Sequence, residues 1–211
     1  MYCGEQPRAA LLERLVTADE NQIGSGLENP SDETLVAATL GGDEQAFAHL
    51  VRRYLRKAMA VALEYVGTRE DAEDVVQDTF RRVLESLDRF NPGRSFEPWF
   101  FTILRNTARN AAKSRRIRDH DALSAEQESI APGPFEQTHR GELHHRIGAA
   151  IERLPPMQRT CFRLCLVEGF SSAEAASAIG LAESTVRVHV FKARQTLQQL
   201  LAGWRDELEE A

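Results

Sequence analysis

In segment after segment longer than ten residues, apolar side chains recur three and four positions apart, and no stretch sustains the apolar/polar alternation of a half-buried strand. That periodicity confines the chain to an all-α fold. Glycine, proline and capping residues divide the pattern. DETLVAATL (32–40) reads as a short helix stopped by Gly41-Gly42, and Asp43 is placed to cap a second helix carrying Phe47, Leu50, Val51, Tyr54 and Leu55 on one stripe. Gly67 ends that helix. Thr68 and Asp71 resemble a capping box for a third, whose inward face is Ala72, Val75, Val76, Thr79, Phe80, Val83, Leu84 and Leu87. Asn91-Pro92-Gly93 forces a loop, and a fourth helix runs from near Glu97 to about Arg116, with Trp99, Phe100, Ile103, Leu104 and Ala108 available for burial.

The pattern dissolves at both ends of this block. Residues 1–31 form an extension with a short helix expected around Arg8–Ala18, followed by NQIGSGLENPSD, rich in Gly, Asn, Pro and Ser. From 119 to 141, DHDALSAEQESIAPGPFEQTHRG holds two prolines and five acids against one arginine, the composition of a linker. Helical periodicity resumes at Glu142, broken by Pro155-Pro156, Gly169 and Gly180. The expected organisation is therefore two small helical domains, 32–118 and 142–205, joined by a flexible acidic linker. With 42% hydrophobic and 27% charged residues, each can fill a core.

The stretch SSAEAASAIGLAESTVRVHVFKAR (171–194) has the form of two short helices pivoting on Gly180. Ala175, Ala176 and Ala178 let helices cross closely, and Gly180 suits a left-handed turn. On the second helix Val186, Val190, Ala193 and Leu197 make a buried stripe. The opposite face carries Ser184, Val188, Phe191 and Gln195, flanked by Arg187 and Lys192. Cations at the margin reach phosphates, and short or apolar side chains between them reach base edges. A plain helical hairpin shares the Ala-Gly pattern, but exposed Val188 and Phe191 favour a DNA-reading helix-turn-helix. Ala182 is a poor N-cap, which would let Ser184 or Thr185 start the helix later.

A formal net charge of −6 sits oddly with DNA binding until the charge is read segment by segment. Gly67 to Phe90 holds seven acids and four arginines, with Glu73, Asp74, Gln77, Asp78 and Arg81 sharing one outer side. Pro98 to Arg118 reverses this, with six bases and no acid, Trp99, Phe100 and Phe101 at its head, and Asn106 and Asn110 between the arginines. Aromatics, amides and a basic stripe suit unstacked bases and a phosphate backbone, although Trp99 and Phe100 also fit as core.

Three of these segments carry a family resemblance. DAEDVVQDTF (71–80), FNPGRSFEPWFFTILRNTARN (90–110) and LPPMQRTCFRLCLVEGFSSAEAASAIGLAESTVRVHVFKARQTL (154–197) resemble the polymerase-binding, promoter-melting and upstream-element-reading regions of the extracytoplasmic-function (ECF) sigma factors of bacteria, in order and over roughly residues 32–201. The resemblance implies a non-enzymatic initiation factor whose partners are core RNA polymerase, promoter DNA and an anti-sigma factor or other regulator. It assigns Glu73, Asp74, Gln77, Asp78 and Arg81 to polymerase. Trp99, Arg105, Asn106, Arg109, Asn110 and Lys113 fall to the −10 element, where the 91–97 loop and the helix behind it capture an extruded base. Ser184, Thr185, Arg187, Val188, Phe191 and Lys192 fall to the −35 element. Many relatives have Thr-Val-Arg-Ser-Arg where this chain has Thr185-Val186-Arg187-Val188-His189, so the promoter sequence does not carry over.

Two other readings stand beside it. A stand-alone regulator of the response-regulator output type would share the 186–190 segment but leave the acidic and basic helices unexplained. A metal or redox sensor would use Cys161 and Cys165 with His144 and His145, although free cysteines are commonly plain core residues. No cofactor, metal or catalytic constellation is expected. No apolar run reaches bilayer length, and the acid early in MYCGEQPRAALLERL is unlike a signal peptide, so the expected location is the cytoplasm without membrane insertion. Three cysteines in all, too few for a disulfide framework, agree with a reducing compartment.

Overall fold

The computed structural model describes residues 30–121 and 139–209, with side chains described over 30–116 and 146–202. All regular structure among them is helical: α1 (Asp32–Leu40), α2 (Glu44–Val66), α3 (Arg69–Ser86) with a 3-10 turn at Leu87–Arg89, α4 (Phe96–Asp121), α5 (His139–Glu152), α6 (Pro156–Phe162) continuing into a π-turn (Arg163–Val167), α7 (Ser172–Ile179) and α8 (Glu183–Glu209). The chain divides into two compact units, one built mainly on α1–α4 and the other mainly on α5–α8. The expected helix near Arg8–Ala18 lies outside the described residues, as does most of the expected linker. α4 continues to Asp121 and α5 begins at His139, so the helices reach into the linker's expected ends.

Local chemistry sets the boundaries of the first unit. Ser31 caps α1 by accepting from the Thr34 amide at 3.2 Å, and Asp43 caps α2 by accepting from the Gln45 and Ala46 amides at 2.8 and 3.2 Å. Gly67 closes α2 in the left-handed conformation at φ 79°, where a side chain would be strained, and its amide donates to the Leu63 carbonyl. Thr68 then starts α3: its hydroxyl accepts from the Asp71 amide at 3.3 Å and donates to the Asp71 carboxylate at 2.6 Å.

An aromatic chain makes the core. Phe47 meets Phe80 edge-on, Phe80 meets Phe100, and Tyr54 is surrounded by Phe96, Phe100 and Phe101 at centroid distances of 5.4, 4.8 and 6.2 Å. Phe100 and Phe101 have no exposed surface. Two of the three aromatics expected at the head of α4 are thus core, and only half-buried Trp99 remains within reach of a ligand. Of the expected inward face of α3 only Leu84 is half-buried rather than buried. Asp32 pins α1 onto α2 by accepting from both Arg53 and the Tyr54 hydroxyl, and Arg53 also donates to the Pro30 carbonyl at 2.7 Å. Burial first, and the Asp32 contact second, push the Tyr54 hydroxyl pKa far upward, so Tyr54 stays a neutral donor.

In the second unit, Ala150, Leu154, Ala193 and Leu197 form a buried cluster, with Ile151, Phe162, Leu200 and Leu201 packed against it. Pro156 occupies the first turn of α6, where its missing N–H costs nothing. A capping box starts α7. The Glu174 amide donates to the Ser171 hydroxyl at 3.1 Å, and the Glu174 carboxylate accepts from the Ser171 amide at 2.8 Å. Gly180, at φ 74°, ends α7, and the Leu181 amide reaches back to the Ala176 carbonyl at 3.0 Å. α8 begins at Glu183, so Ala182 does stand at its cap position, and no later start at Ser184 or Thr185 occurs. Val186, Ala193 and Leu197 are buried as expected, while Val190 is half-buried. No described helix is long and apolar enough to cross a membrane.

Candidate nucleic-acid interfaces

The outer face of α3 is acidic but largely compensated within the helix. Arg69 pairs with Glu73 at 2.8 Å, Arg81 bridges Asp78 and Glu85 at 2.9 Å each, and Arg82 approaches Asp78 at 3.8 Å. The hydrogen bond to Asp78, more than any other contact, raises the Arg81 pKa further. Asp74 is exposed and makes no ion pair among the described residues. Gln77 is half-buried beside this network. The five expected polymerase contacts therefore share one accessible side, and Asp74 is its uncompensated charge.

α4 has the opposite character. Its inner line, Phe96, Phe100, Leu104 and Ala108, is fully buried, and the stripe Thr102, Asn106, Arg109, Lys113 and Arg116 is exposed along its whole length. Arg109, Lys113 and Arg116 find no anionic partner among the described residues. Asn110 is exposed beside them, and Arg105 is half-buried. Arg115 is diverted from this surface: it pairs with Asp71 and donates to the Val66 carbonyl and the Thr68 hydroxyl at 3.4 Å, tying α4 to the α2–α3 turn. At the head of the stripe, Trp99 leans on Phe90 and Phe96 at 5.1 and 5.7 Å and rims the 91–95 loop, whose residues are all exposed. Exposed amides and cations with one accessible indole can hydrogen-bond, neutralise and stack on an unpaired strand.

On α8, Ser184, Arg187, Val188, Phe191 and Lys192 are exposed and Thr185 is half-buried. Val188 and Phe191 expose 50% and 61% of their surface, although each is large enough to be worth burying. Arg187 pairs with Glu183 one turn earlier yet keeps 68% of its side chain exposed. The helix that leaves the Gly180 turn thus presents two apolar side chains flanked by two cations, the layout for reaching into a major groove.

Cys161 and Cys165 belong to α6 and its π-turn, not to α3, α4 or α8. Cys161 is buried, and burial raises the pKa of Cys165, which disfavours the thiolate that a metal site requires. Among the described residues no group of three or more His, Cys, Asp or Glu side chains could hold a metal ion. His144 and His145 have side chains outside the described residues.

Comparison with known proteins agrees with this division. Residues 50–118 match the family model for Sigma-70 region 2, and residues 144–197 that for Sigma-70 region 4. The chain is 34% identical over 190 residues to the ECF RNA polymerase sigma factor SigE of Mycolicibacterium smegmatis, covering 84% of this chain and 72% of that protein. It is 33% identical to the RNA polymerase sigma factor NccH of Alcaligenes xylosoxydans xylosoxydans, covering 83% and 97%. Among solved structures, CnrH in complex with the cytosolic domain of CnrY matches at a TM-score of 0.55 and 29% identity, over 82% of this chain and 99% of that one. The sigma factor RpoE in complex with the anti-sigma factor NepR from Bartonella quintana matches at 0.51 and 30%, over 74% and 96%.

Proposed function

The chain belongs to the ECF sigma factors of bacterial RNA polymerase and serves in promoter recognition, and from that premise we propose which of its surfaces meets which partner. Core polymerase takes the outer face of α3 through Glu73, Asp74, Gln77, Asp78 and Arg81. Asp74 supplies the charge that no neighbour offsets, and Arg81 holds Asp78 in place. The −10 element takes the α4 face: Trp99 and the 91–97 loop receive an extruded base, Asn106 and Asn110 bond unpaired bases, and Arg105, Arg109 and Lys113 follow the phosphates. The −35 element takes α8, with Ser184, Thr185, Val188 and Phe191 toward base edges and Arg187 and Lys192 toward the backbone. Residues 32–118 and 142–205 serve as the two binding domains.

The observation that carries this reading is the charge segregation in the first unit, with most acids of α3 paired with arginines and Arg109, Lys113 and Arg116 along α4 without acidic partners among the described residues. A polymerase surface and a polyanion call for surfaces of different charge, and two helices of a single small unit supply them. The solved structure of the sigma factor RpoE with the anti-sigma factor NepR supports the same kind of partner here. The protein works in the cytoplasm and does no chemistry of its own; strand opening draws on the energy of binding unpaired bases. A stand-alone regulator would leave α3 and α4 without a role. A gel shift separates the two readings: the purified chain should fail to shift promoter DNA until core polymerase is added, and a specific shift by the chain alone would overturn the assignment.

A further inference from the structure

The loop between α3 and α4 is exposed throughout residues 91–95 yet carries two hydrogen bonds of its own, both to Asn91. Phe90 and Phe96 flank it. Both are buried, and their rings meet edge-on at 5.8 Å, so the two ends of the loop are clamped together. Within it the Arg94 amide donates to the Asn91 carbonyl at 3.0 Å, closing a β-turn with Pro92 at its second position, where the fixed proline φ fits. The Asn91 side-chain carbonyl also accepts from the Gly93 amide at 2.9 Å, an Asx turn laid over the same residues. Gly93 is not in the left-handed region. Its service is spatial, because a Cβ there would stand 3.3 Å from the Asn91 side-chain oxygen and press it off the amide. An exposed loop gains little for folding stability from such a bond. A loop that must present one shape to a ligand gains selectivity, because order is then in place before binding.

We propose that Asn91 is a positioning residue for base capture: its side-chain carbonyl holds the turn in the one shape that lets the loop and Trp99 discriminate the captured base. The inference rests on the reading that this end of the unit receives an unpaired base. Asn91 itself touches no base. It acts through the backbone of Pro92, Gly93 and Arg94.

The test uses the full chain assembled with core polymerase and a library of promoter templates with a pre-opened bubble randomised over the −10 region, scoring the bases selected at each unpaired position. The wild type should select a base at one position. Asn91→Ala should lower that selectivity about fivefold, the equilibrium scale of one hydrogen bond, with core-polymerase affinity and helix content unchanged. Asn91→Asp keeps the acceptor and adds a charge, so it should weaken binding evenly across the library and preserve the ranking of bases. Unaltered selectivity in Asn91→Ala, equal loss in both variants, or a parallel fall in polymerase affinity would each overturn the positioning role. A wild type with no preference at any position would instead overturn the base-capture reading beneath it.

Discussion

α3 and α4 lie in the same small unit and are both densely charged, but they manage charge in opposite ways. On α3 each acid of the Asp78–Glu85 cluster has an arginine three or four residues away, and such pairs stabilise a helix by about 0.3–0.5 kcal/mol each. On α4 no acid occurs between Pro98 and Arg118, and Arg109, Lys113 and Arg116 repel one another along an exposed stripe. A charged helix that compensates itself needs no outside partner to be stable. A helix that leaves like charges unrelieved is arranged for a polyanion, and on α3 Glu70 and Asp74 are the exposed acids without an ion pair among the described residues, Asp74 on the side shared with Asp78 and Arg81.

The largest effect should come from reversing the acidic face. Asp74→Lys together with Asp78→Lys should abolish core-polymerase binding in a fluorescence titration, since placing like charges across an interface costs several kcal/mol. Asp78→Lys also strips Arg81 and Arg82 of a partner, so Asp74→Lys alone is the cleaner probe and should keep most of the loss. Retained binding by a folded double variant would remove α3 from the polymerase interface.

Next in size is the amide among the α4 cations. Asn106→Ala should reduce transcription from duplex promoters about tenfold, on the scale of one good base contact, and from a pre-opened bubble much less. Melting costs about 1.4 kcal/mol per base-pair step, which captured bases must offset. Equal loss on both templates would detach Asn106 from strand opening.

Smaller effects distinguish backbone contacts from base contacts on α8. Lys192→Ala should lower the affinity of the holoenzyme about evenly across promoter variants and reduce the salt slope by about 0.9, the value of one duplex phosphate. Smallest is the effect of single methyl groups. Val188 and Phe191 are exposed opposite the buried Val186, Ala193 and Leu197, and the apolar feature of the major groove is the thymine methyl. Deoxyuridine in place of thymine should weaken wild-type binding a few-fold at one or two upstream positions, and Val188→Ser should be less sensitive there. Indifference of the wild type to every such substitution would mean that the exposed pair packs against protein instead.

What could be read from the sequence was what neighbours in sequence decide. The caps at Asp43 and Thr68, the stop at Gly67 and the Gly180 turn depend on residues within four positions and fall where their patterns indicate. The Ser171–Glu174 capping box was equally local and needed only the S-x-x-E pattern that it displays. Contacts between helices left no such trace. Nothing in the spacing shows that Asp32 would bind Arg53 and Tyr54, or that Arg115 would leave the basic stripe for Asp71. The aromatic head of α4 divided for the same reason, because helix periodicity places Phe100 inward but cannot tell whether adjacent Phe101 meets Tyr54 or solvent. Exposure of Val188 and Phe191 followed from the opposite stripe, since burying Val186, Ala193 and Leu197 fixes the rotation of the helix.

The central claim is that polymerase and DNA are held by different helices of one unit, and two variants titrated side by side test it most directly. Asp74→Lys and the pair Arg109→Glu with Lys113→Glu are each titrated with core polymerase and then assayed for opening a duplex promoter. The first should lose polymerase binding. The second should bind polymerase as the wild type does and fail to open the promoter. Loss of polymerase binding by the α4 variant, or retention of it by the α3 variant, would contradict the division.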